Sequence, residues 1–377
     1  MKTTFTPLLI ALLIGMATRV PETRAADDSG GPHAGLIGPG QCQDQARGAP
    51  PMSPAAWQKL EGNVLDSQHG WGRRFKPRGM FPVPPGEFET PGGIGVLYNS
   101  VPPSGFQAPP GFAASQTGSL AFSENLVDWH DYPDNPVMYK LADWQGSQRA
   151  MPRAMLYDEK NSQWVVYFVD LGGHYPGIRA IGAAYSTDLV TWRPSEQPML
   201  TIHDYVRAVP DWIDASDEEI DREGRVYSSW AIYHEGRYYL QVQGTNRTGS
   251  NRTYGTIILV ADEPEGPWQR AEDFRGDFTP QQRPVYSEGR WYTVFTGRWD
   301  DQLGFGLAWS ENLLGPYERN PENPIISTDM TTRARPQLFQ YRGVWAILFA
   351  RGPHPGPMRL ALADFDPDSP PISGDGP

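Results

Sequence analysis

The sequence predicts an all-β protein, a five-bladed β-propeller with four-stranded antiparallel blades and a short N-terminal helix. The first observation is the composition. The 377 residues include 40 Gly and 38 Pro, and 12% are aromatic, which is typical of short strands joined by tight turns. The second observation is a segment that occurs three times with small changes, which we call the echo. Its copies are "SENLVDWHDYPDNPVM" from Ser123, "STDLVTWRPSEQPML" from Ser186 and "SENLLGPYERNPENPII" from Ser310. The third is an alternation of apolar and polar residues before each echo.

The N-terminal segment is predicted to be a secretory signal peptide over residues 1–25. It combines a lysine, an apolar stretch from Leu8 to Ala17 and small residues near Ala25. The apolar stretch is too short to span a bilayer, which disfavours the alternative of an uncleaved membrane anchor. We therefore expect a secreted or periplasmic protein with no membrane contact after cleavage.

Residues 26–74 are predicted to form a flexible lead-in that ends with a short helix. The lead-in is rich in Gly, Pro and small polar residues. In "SPAAWQKLEGNVLD", Ser53 is the expected N-cap and Pro54 the first helical residue. The chain has one cysteine, Cys42, so it cannot form an intramolecular disulfide. The propeller is then predicted over residues 75–377.

Four units of the predicted propeller each begin with two strands around a short turn. These strand pairs are "AMLYDEKNSQWVVYFVD" from Ala154, "AIYHEGRYYLQVQG" from Ala231, "PVYSEGRWYTVFTGR" from Pro284 and "QLFQYRGVWAILFAR" from Gln337. A third strand and an aromatic start of a fourth strand follow, and a divergent fifth copy fits residues 75–138. Units that cannot bury both faces alone favour radial stacking over a sandwich or two separate domains. The echoes are then structural: they cap turns, fill the wedge between blades and begin the crossing to the next blade.

The charge balance excludes nucleic acid as the main partner. The formal net charge is -12, whereas a phosphate backbone requires a basic surface. No cofactor is predicted, although the axis of a propeller could hold an ion such as calcium. His174 and His354 lack a nearby Cys or a His-Glu-x-x-His spacing, so they are weak candidates for zinc ligands. The oligomeric state is not indicated.

Three blade endings carry a family resemblance: "AYSTDLVTWRPSEQPML", "ADEPEGPWQR" and "AWSENLLGPYERNPENPII". They resemble those of the five-bladed glycoside hydrolases, the group of family 43 and the related families 32, 62, 68 and 130, over residues 75–366. The resemblance implies a carbohydrate substrate and an axial funnel lined by residues just before each innermost strand. In family 43 it implies an Asp general base at blade one, a tuning Asp at blade two and a Glu general acid at blade three. Such carboxylates protonate the leaving oxygen and activate water.

Two of these three positions are not acidic in this chain. Blade two reads "MPRAMLY", which places Arg153 where the tuning Asp is implied, and blade three reads "YSSWAIY", which places Ser229 and Trp230 at the acid position. Blades four and five present Arg283 in "QQRPVY" and Arg335 in "RARPQL". The chain therefore departs from the family 43 pattern.

Other carboxylates are candidates for the catalytic roles. Glu87 and Glu89 in "GEFETPGG" are expected to precede the first blade, where the resemblance implies the general base. The connection to blade three, "PDWIDASDEE", contains four carboxylates, any one of which is a candidate to replace the acid: Asp211, Asp214, Asp217 and Glu218. Carboxylates beside arginines and aromatics make an acid–base site plausible.

The predicted arginines are expected to converge on the axis. Several guanidinium groups buried together require compensation by carboxylates or by a bound anion. Each arginine either pairs with an acid from a neighbouring loop or grips oxygens of a glycan. The predicted substrate-binding residues are Arg149, Arg153, His174, Trp230, Arg283, Asp301, Arg335 and His354.

The predicted function is that of a secreted glycoside hydrolase-like enzyme. It would act on a plant or microbial polysaccharide or oligosaccharide by carboxylate acid–base chemistry in an arginine-containing funnel. Two alternatives stay open. One is a non-catalytic binder of anionic glycans on the same propeller. The other is a glycoside phosphorylase similar to family 130, with arginine and histidine holding phosphate.

Overall fold

The structure is a computed structural model. It describes residues 48–60, 64–65, 76–101, 106, 117–138, 150–170, 180–209, 216–245, 253–271, 280–328, 335–350 and 358–363. The predicted signal peptide and Cys42 lie outside these residues. Within the described ranges, no helix is long and apolar enough to cross a membrane.

Five antiparallel sheets form the five blades, so the predicted fold class is confirmed. A first strand, β1 (Trp57–Lys59), precedes them in the chain. Blade 1 contains β2 (Lys76–Val83), β3 (Gly93–Ser100), β4 (Thr117–Ser123) and β5 (His130–Asp131). Blade 2 contains β6 (Ala150–Asp158), β7 (Gln163–Asp170) and β8 (Ala180–Ser186), with β9 (Arg193–Pro194) and β10 (Leu200–Thr201) along the outer edge.

Two short helices, α1 (Ile202–Ala208) and α2 (Asp217–Glu223), lead into blade 3. Blade 3 contains β11 (Arg225–His234), β12 (Arg237–Thr245), β13 (Thr253–Ala261) and β14 (Gln269–Arg270). Blade 4 contains β15 (Val285–Ser287), β16 (Arg290–Trp299) and β17 (Gln302–Ser310), with β18 (Glu318–Arg319) and β19 (Ile326–Ser327) on its outer edge. Blade 5 contains β20 (Gln337–Tyr341), β21 (Val344–Ala350) and β22 (Met358–Ala363).

Strand β1 closes the propeller because it is the outermost strand of blade 5. Trp57 pairs with Ala363 across an antiparallel register, and the Trp57 indole packs in the core between blades 4 and 5. The predicted N-terminal helix is therefore wrong beyond one 3-10 turn, Pro54–Ala56. Pairing with β22 and burial of the indole keep the chain extended after this turn. Part of the segment assigned to the lead-in thus belongs to the propeller.

The echoed segments form the outer edges of the blades. The indole N–H of Trp129 donates to the Leu126 carbonyl at 2.7 Å, and Trp192 donates to the Leu189 carbonyl at 3.0 Å. In the Asn-Pro part of the echo, the Asn135 side chain donates to and accepts from the Leu120 backbone, each at 2.8 Å. A side-chain amide that pairs with a backbone in this way takes the place of a strand neighbour. The echo residues therefore shape turns and fill the space between blades, as predicted.

Candidate functional site

The first strands of blades 1, 2 and 3 each contain a β-bulge. The register shifts between Pro77 and Gly79 in β2, between Pro152 and Ala154 in β6, and between Ser228 and Ala231 in β11. A bulge inserts an unpaired residue and re-aims its side chain. The inserted residues of β2 and β6 are Arg78 and Arg153. We call the end of the propeller where the first strands begin the arginine end.

Both arginines are buried and are held by neutral acceptors on neighbouring strands. Arg78 is 5% exposed and its Nε donates to Asn99 Oδ1, while Asn99 Nδ2 donates to the Pro152 carbonyl at 3.1 Å. Arg153 is 4% exposed and its Nε donates to the Ser228 carbonyl at 3.2 Å. These hydrogen bonds connect blade 1 to blade 2 and blade 2 to blade 3.

Arg335 from blade 5 joins this pair. It lies two residues before β20 and lowers the pKa of both other guanidinium groups by charge repulsion. Burial is the larger cause. It lowers the pKa of Arg153 to about 9, and it lowers the pKa of Arg78 and Arg335 as well. The Arg153 guanidinium carbon also lies 4.9 Å from the centre of the Tyr227 ring, whose interaction opposes the shift.

We name Arg78, Arg153 and Arg335 the axial arginine cluster. Ion pairs among the described residues are Lys160–Glu263, His203–Asp221, Arg207–Asp204, His234–Glu235 and Arg237–Asp262, and these involve no member of the cluster. In addition, Arg78 Nη2 is buried and has no hydrogen-bond partner in the part of the chain that the structure describes. The described part of the chain thus orients these cations without neutralising them.

Hydrogen bonds continue around the axis from blade 3 to blade 5. The Trp230 indole N–H donates to the Pro280 carbonyl at 2.8 Å, and Gln337 Nε2 donates to Gln282 Oε1 at 3.0 Å. Trp230 is 1% exposed and packs in the core between blades 3 and 4 with residues such as Ile258. It therefore presents no face on which a sugar could stack, which corrects the expectation for this residue.

Glu87 and Glu89 lie at the opposite end of the propeller. They form a 3-10 turn between β2 and β3, and Phe88 between them stacks on Phe122 with ring centres 4.6 Å apart. At the usual strand rise, Arg78 at the start of β2 is roughly 15 Å from the end of that strand. The two glutamates follow the first strand rather than precede it. The expectation that they precede the first blade is therefore wrong, and their role as general base stays a prediction.

The remaining predicted residues divide between described and undescribed positions. Arg283 is partly buried and lies two residues before β15, at the arginine end. Asp301 is exposed in the turn between β16 and β17 with a φ of 65°, and its carbonyl accepts from Arg298 Nη1 at 2.8 Å. By strand direction this turn also lies at the arginine end. Positions outside the described residues are Arg149, His174, Asp211, Asp214 and His354.

Arg78 is the residue that sequence reasoning missed. The signal was present, because "KPRGM" at 76–80 repeats the Pro-Arg-small-Met pattern of "MPRAM" at 151–155. The small residue is required in blade 1, since a Cβ on Gly79 would lie 2.6 Å from Met155 Sδ. Aligning the two patterns would have placed the first strand of blade 1 before Glu87.

The cluster does not fit a metal cation. Within the described residues, no group of three or more His, Cys, Asp or Glu side chains is arranged to hold one. The three guanidinium groups would also repel a cation such as calcium. The arrangement instead suits an anion, because guanidinium groups bind carboxylate, sulfate or phosphate oxygens through paired N–H donors.

No protein-family model matches the chain, and no curated protein matches it in sequence. Three similar solved structures are a candidate glycosidase from Bacteroides thetaiotaomicron, the catalytic domain of a family 62 α-L-arabinofuranosidase from Coprinopsis cinerea and a thermostable family 43 glycoside hydrolase. Their identities are 13%, 9% and 12%, and their TM-scores are 0.49, 0.49 and 0.41. The alignments cover 84%, 82% and 75% of this chain and 98%, 96% and 91% of the other chains.

Proposed function

We propose that the protein is an exported glycoside hydrolase-like enzyme that acts on a polysaccharide or oligosaccharide carrying an anionic group. The observation that carries the proposal is the axial arginine cluster, in which Arg78 and Arg153 are buried beside Arg335. Buried cations of this kind are stable when an anion completes the site. The resemblance of the blade endings to five-bladed glycoside hydrolases supports a sugar as the carrier of that anion.

The arginines take the place of catalytic carboxylates in this proposal. Arg153 stands at the blade-two position of the resemblance, and the shared bulge gives Arg78 the same place in blade 1. Their role is therefore to bind and orient the substrate. The acid and base would come from Asp211, Asp214 and Asp301, which belong to connections between strands. An inverting mechanism would require two of these carboxyl groups about 6.5–9.5 Å apart.

A second candidate function is a non-catalytic receptor for anionic glycans. The observation that favours it is the presence of arginine at both the blade-one and blade-two positions, with Ser229 in the bulge of blade 3. A site that only binds needs no acid–base pair. The two functions differ in turnover and share the same ligand class.

The experiment that separates them measures binding and bond cleavage on one panel of glycans. The purified protein is incubated with arabinan, xylan, fructan, a uronic-acid glycan and a sulfated glycan, with and without inorganic phosphate, and the release of reducing ends is followed. We expect release from the anionic members. Asp214→Asn should reduce kcat at least about 100-fold if this residue is the acid. Asp134→Asn, at an exposed position in the turn after β5, is the matched control and should leave the rate unchanged.

The other outcomes of the glycan panel distinguish the remaining functions. Retention of an anionic glycan without release of reducing ends would favour the receptor. Release that depends on phosphate would indicate phosphorolysis. A protein that neither retains nor cleaves any member of the panel would overturn both candidate functions.

Export is part of the same proposal. The apolar stretch and the small residues near Ala25 support a cleaved signal peptide. We expect the protein recovered outside the cytoplasm to begin at or near Ala26, as measured by N-terminal sequencing. Recovery only from the cytoplasm with Met1 retained would contradict export.

A further inference from the structure

The two buried arginines of the axial arginine cluster share an unusual mode of support. Arg78 is held through its Nε by the Asn99 amide oxygen, and Arg153 through its Nε by the Ser228 carbonyl. Both acceptors are neutral. A carboxylate at either place would have cancelled the charge. The support therefore orients the guanidinium groups without cancelling their charge, and it leaves Arg78 Nη2 without a partner among the described residues.

Arg78 has a buried N–H donor that a bound ligand would satisfy. Its side chain is buried, and its Nη2 has no hydrogen-bond partner among the described residues. An unsatisfied buried donor is destabilising, and more so when it is charged, so native structures rarely retain one without a role. An oxygen ligand that accepts from this nitrogen would remove that cost.

The members of the cluster come from three different blades. Arg78 comes from β2, Arg153 from β6 and Arg335 from the segment before β20, so the cations belong to blades 1, 2 and 5. A carboxylate has only two oxygens, and their acceptor sites lie in or near one plane. A tetrahedral oxyanion linked through one oxygen presents three more in different directions. Its geometry, and for phosphate its charge of nearly two, matches three guanidinium groups better.

We propose that the axial arginine cluster is a subsite for a tetrahedral oxyanion, a sulfate or phosphate group on the sugar, with Asn99 as its positioning residue. This inference rests on the proposed function for the sugar that carries the group. Asn99 is 1% exposed and connects Arg78 to the Pro152 carbonyl beside Arg153. It thus sets the relative position of two of the three cations.

The test measures anion binding by isothermal titration calorimetry on the purified full chain at constant ionic strength. The probes are sodium sulfate, sodium phosphate, sodium acetate and glucuronate. We expect sulfate or phosphate to bind at least tenfold more tightly than acetate or glucuronate. Two further probes, glucose 6-sulfate and glucose 6-phosphate, distinguish a sugar-borne group from a free ion, because the ester should bind more tightly if the site recognises a sugar.

Three variants connect the binding to these residues. Arg78→Gln should weaken sulfate binding at least tenfold. Asn99→Asp keeps the shape of the side chain but adds a carboxylate next to Arg78, so it should weaken binding by a similar factor while the protein stays folded. Arg237→Gln removes an exposed arginine that pairs with Asp262 and should leave binding unchanged. If Arg78→Gln does not fold, the Asn99→Asp result decides.

The outcomes separate this inference from the proposed function. Equal or tighter binding of acetate or glucuronate, or unchanged sulfate binding in Asn99→Asp, would overturn the tetrahedral subsite even if glycan cleavage is found. Selective sulfate or phosphate binding without cleavage of any glycan would support the subsite and contradict the enzyme.

Discussion

Strand β6 carries two buried charged side chains, Arg153 near its beginning and Asp158 at its end. Asp158 is 0% exposed and accepts from the Tyr238 hydroxyl at 2.6 Å, from Asn161 Nδ2 at 2.8 Å and from Gln163 Nε2 at 3.2 Å. Arg153 has one neutral backbone acceptor among the described residues and lies next to two other cations. The same strand thus holds one charged side chain with several hydrogen-bond donors around it and one with a single acceptor among the described residues.

The difference is between a charge that the fold itself satisfies and a charge for which we propose a ligand. Tyr238 belongs to blade 3, so its bond to Asp158 connects two blades, and every donor that reaches this carboxylate comes from the protein. A buried charge that the fold itself satisfies supports the fold. A buried charge that the fold orients but leaves unpaired marks a place for a ligand. A substitution at Asp158 should therefore reduce stability strongly, and one at Arg153 should change it little.

The largest effect is expected for Asp158→Ala. The change leaves the buried Tyr238 hydroxyl and the side-chain amides of Asn161 and Gln163 without their acceptor. We expect the free energy of unfolding to fall by about 4 kcal/mol, as when one partner of a buried charged network is removed. Chemical denaturation measures it. A loss below 1 kcal/mol would show that Asp158 does not hold blades 2 and 3 together.

Tyr238→Phe tests the same contact from the other blade and adds a pH dependence. At pH 8 we expect a loss of about 2 kcal/mol, because one hydrogen bond to a carboxylate disappears. Burial, followed by the hydrogen bond and charge of Asp158, raises the pKa of Tyr238 above its usual value near 10. The unfolded chain therefore loses this proton first, and the contribution of Tyr238 to stability is present below pH 10 and is lost as the pH rises above it.

The variant should consequently lose less stability than the wild type between pH 10 and pH 11. Denaturation curves at pH 8, 10 and 11 measure this slope for both proteins. Tyr98 and Tyr167 also have pKa values raised by burial, so some alkaline loss should remain in the variant. Identical slopes in the two proteins would contradict the raised pKa of Tyr238.

Gly79→Ala tests how tightly the arginine end is packed. The new Cβ would lie 2.6 Å from Met155 Sδ and 2.8 Å from Met155 Cβ, so the first strands of blades 1 and 2 must separate. We expect a loss of about 1.5 kcal/mol, the usual cost of overpacking, together with weaker sulfate binding because Arg78 is adjacent. Gly236→Ala is a useful contrast, since its Cβ would meet nothing within 4 Å and only its φ of +78° opposes the change. Unaltered stability and sulfate affinity in Gly79→Ala would show that the close contact is not rigid.

The sequence predicted the structure correctly where a local pattern repeats. It did not do so where a contact with a distant part of the chain determines the local conformation. The echoes predicted the blades because residues such as Trp129 and Asn135 act within a few positions or within one blade. The helix expected after Ser53 was wrong because β22, near the other end of the chain, pairs with Trp57.

The same distinction between local patterns and distant contacts applies to the residues of the candidate site. Arg153 and Arg335 could be proposed from their places near the beginnings of innermost strands, although Arg153 lies inside β6. Arg78 was missed because Pro77, Gly79 and Pro82 make β2 resemble a loop, and pairing with β3 overrides that local tendency. The support by Asn99 could not be predicted, since no local rule places its amide between Arg78 and the Pro152 carbonyl of another blade.

The smallest effect on stability is expected for a substitution of Arg153. Arg153→Met removes one of three mutually repelling cations and fills most of the same volume, while the Ser228 carbonyl loses one donor. Relief of the burial penalty and loss of that hydrogen bond oppose each other, so the free energy of unfolding should change by less than about 1 kcal/mol. Sulfate affinity should nevertheless fall at least tenfold. If Arg153→Met destabilises the protein as much as Asp158→Ala does, then Arg153 is structural, and the contrast between the two ends of β6 does not hold.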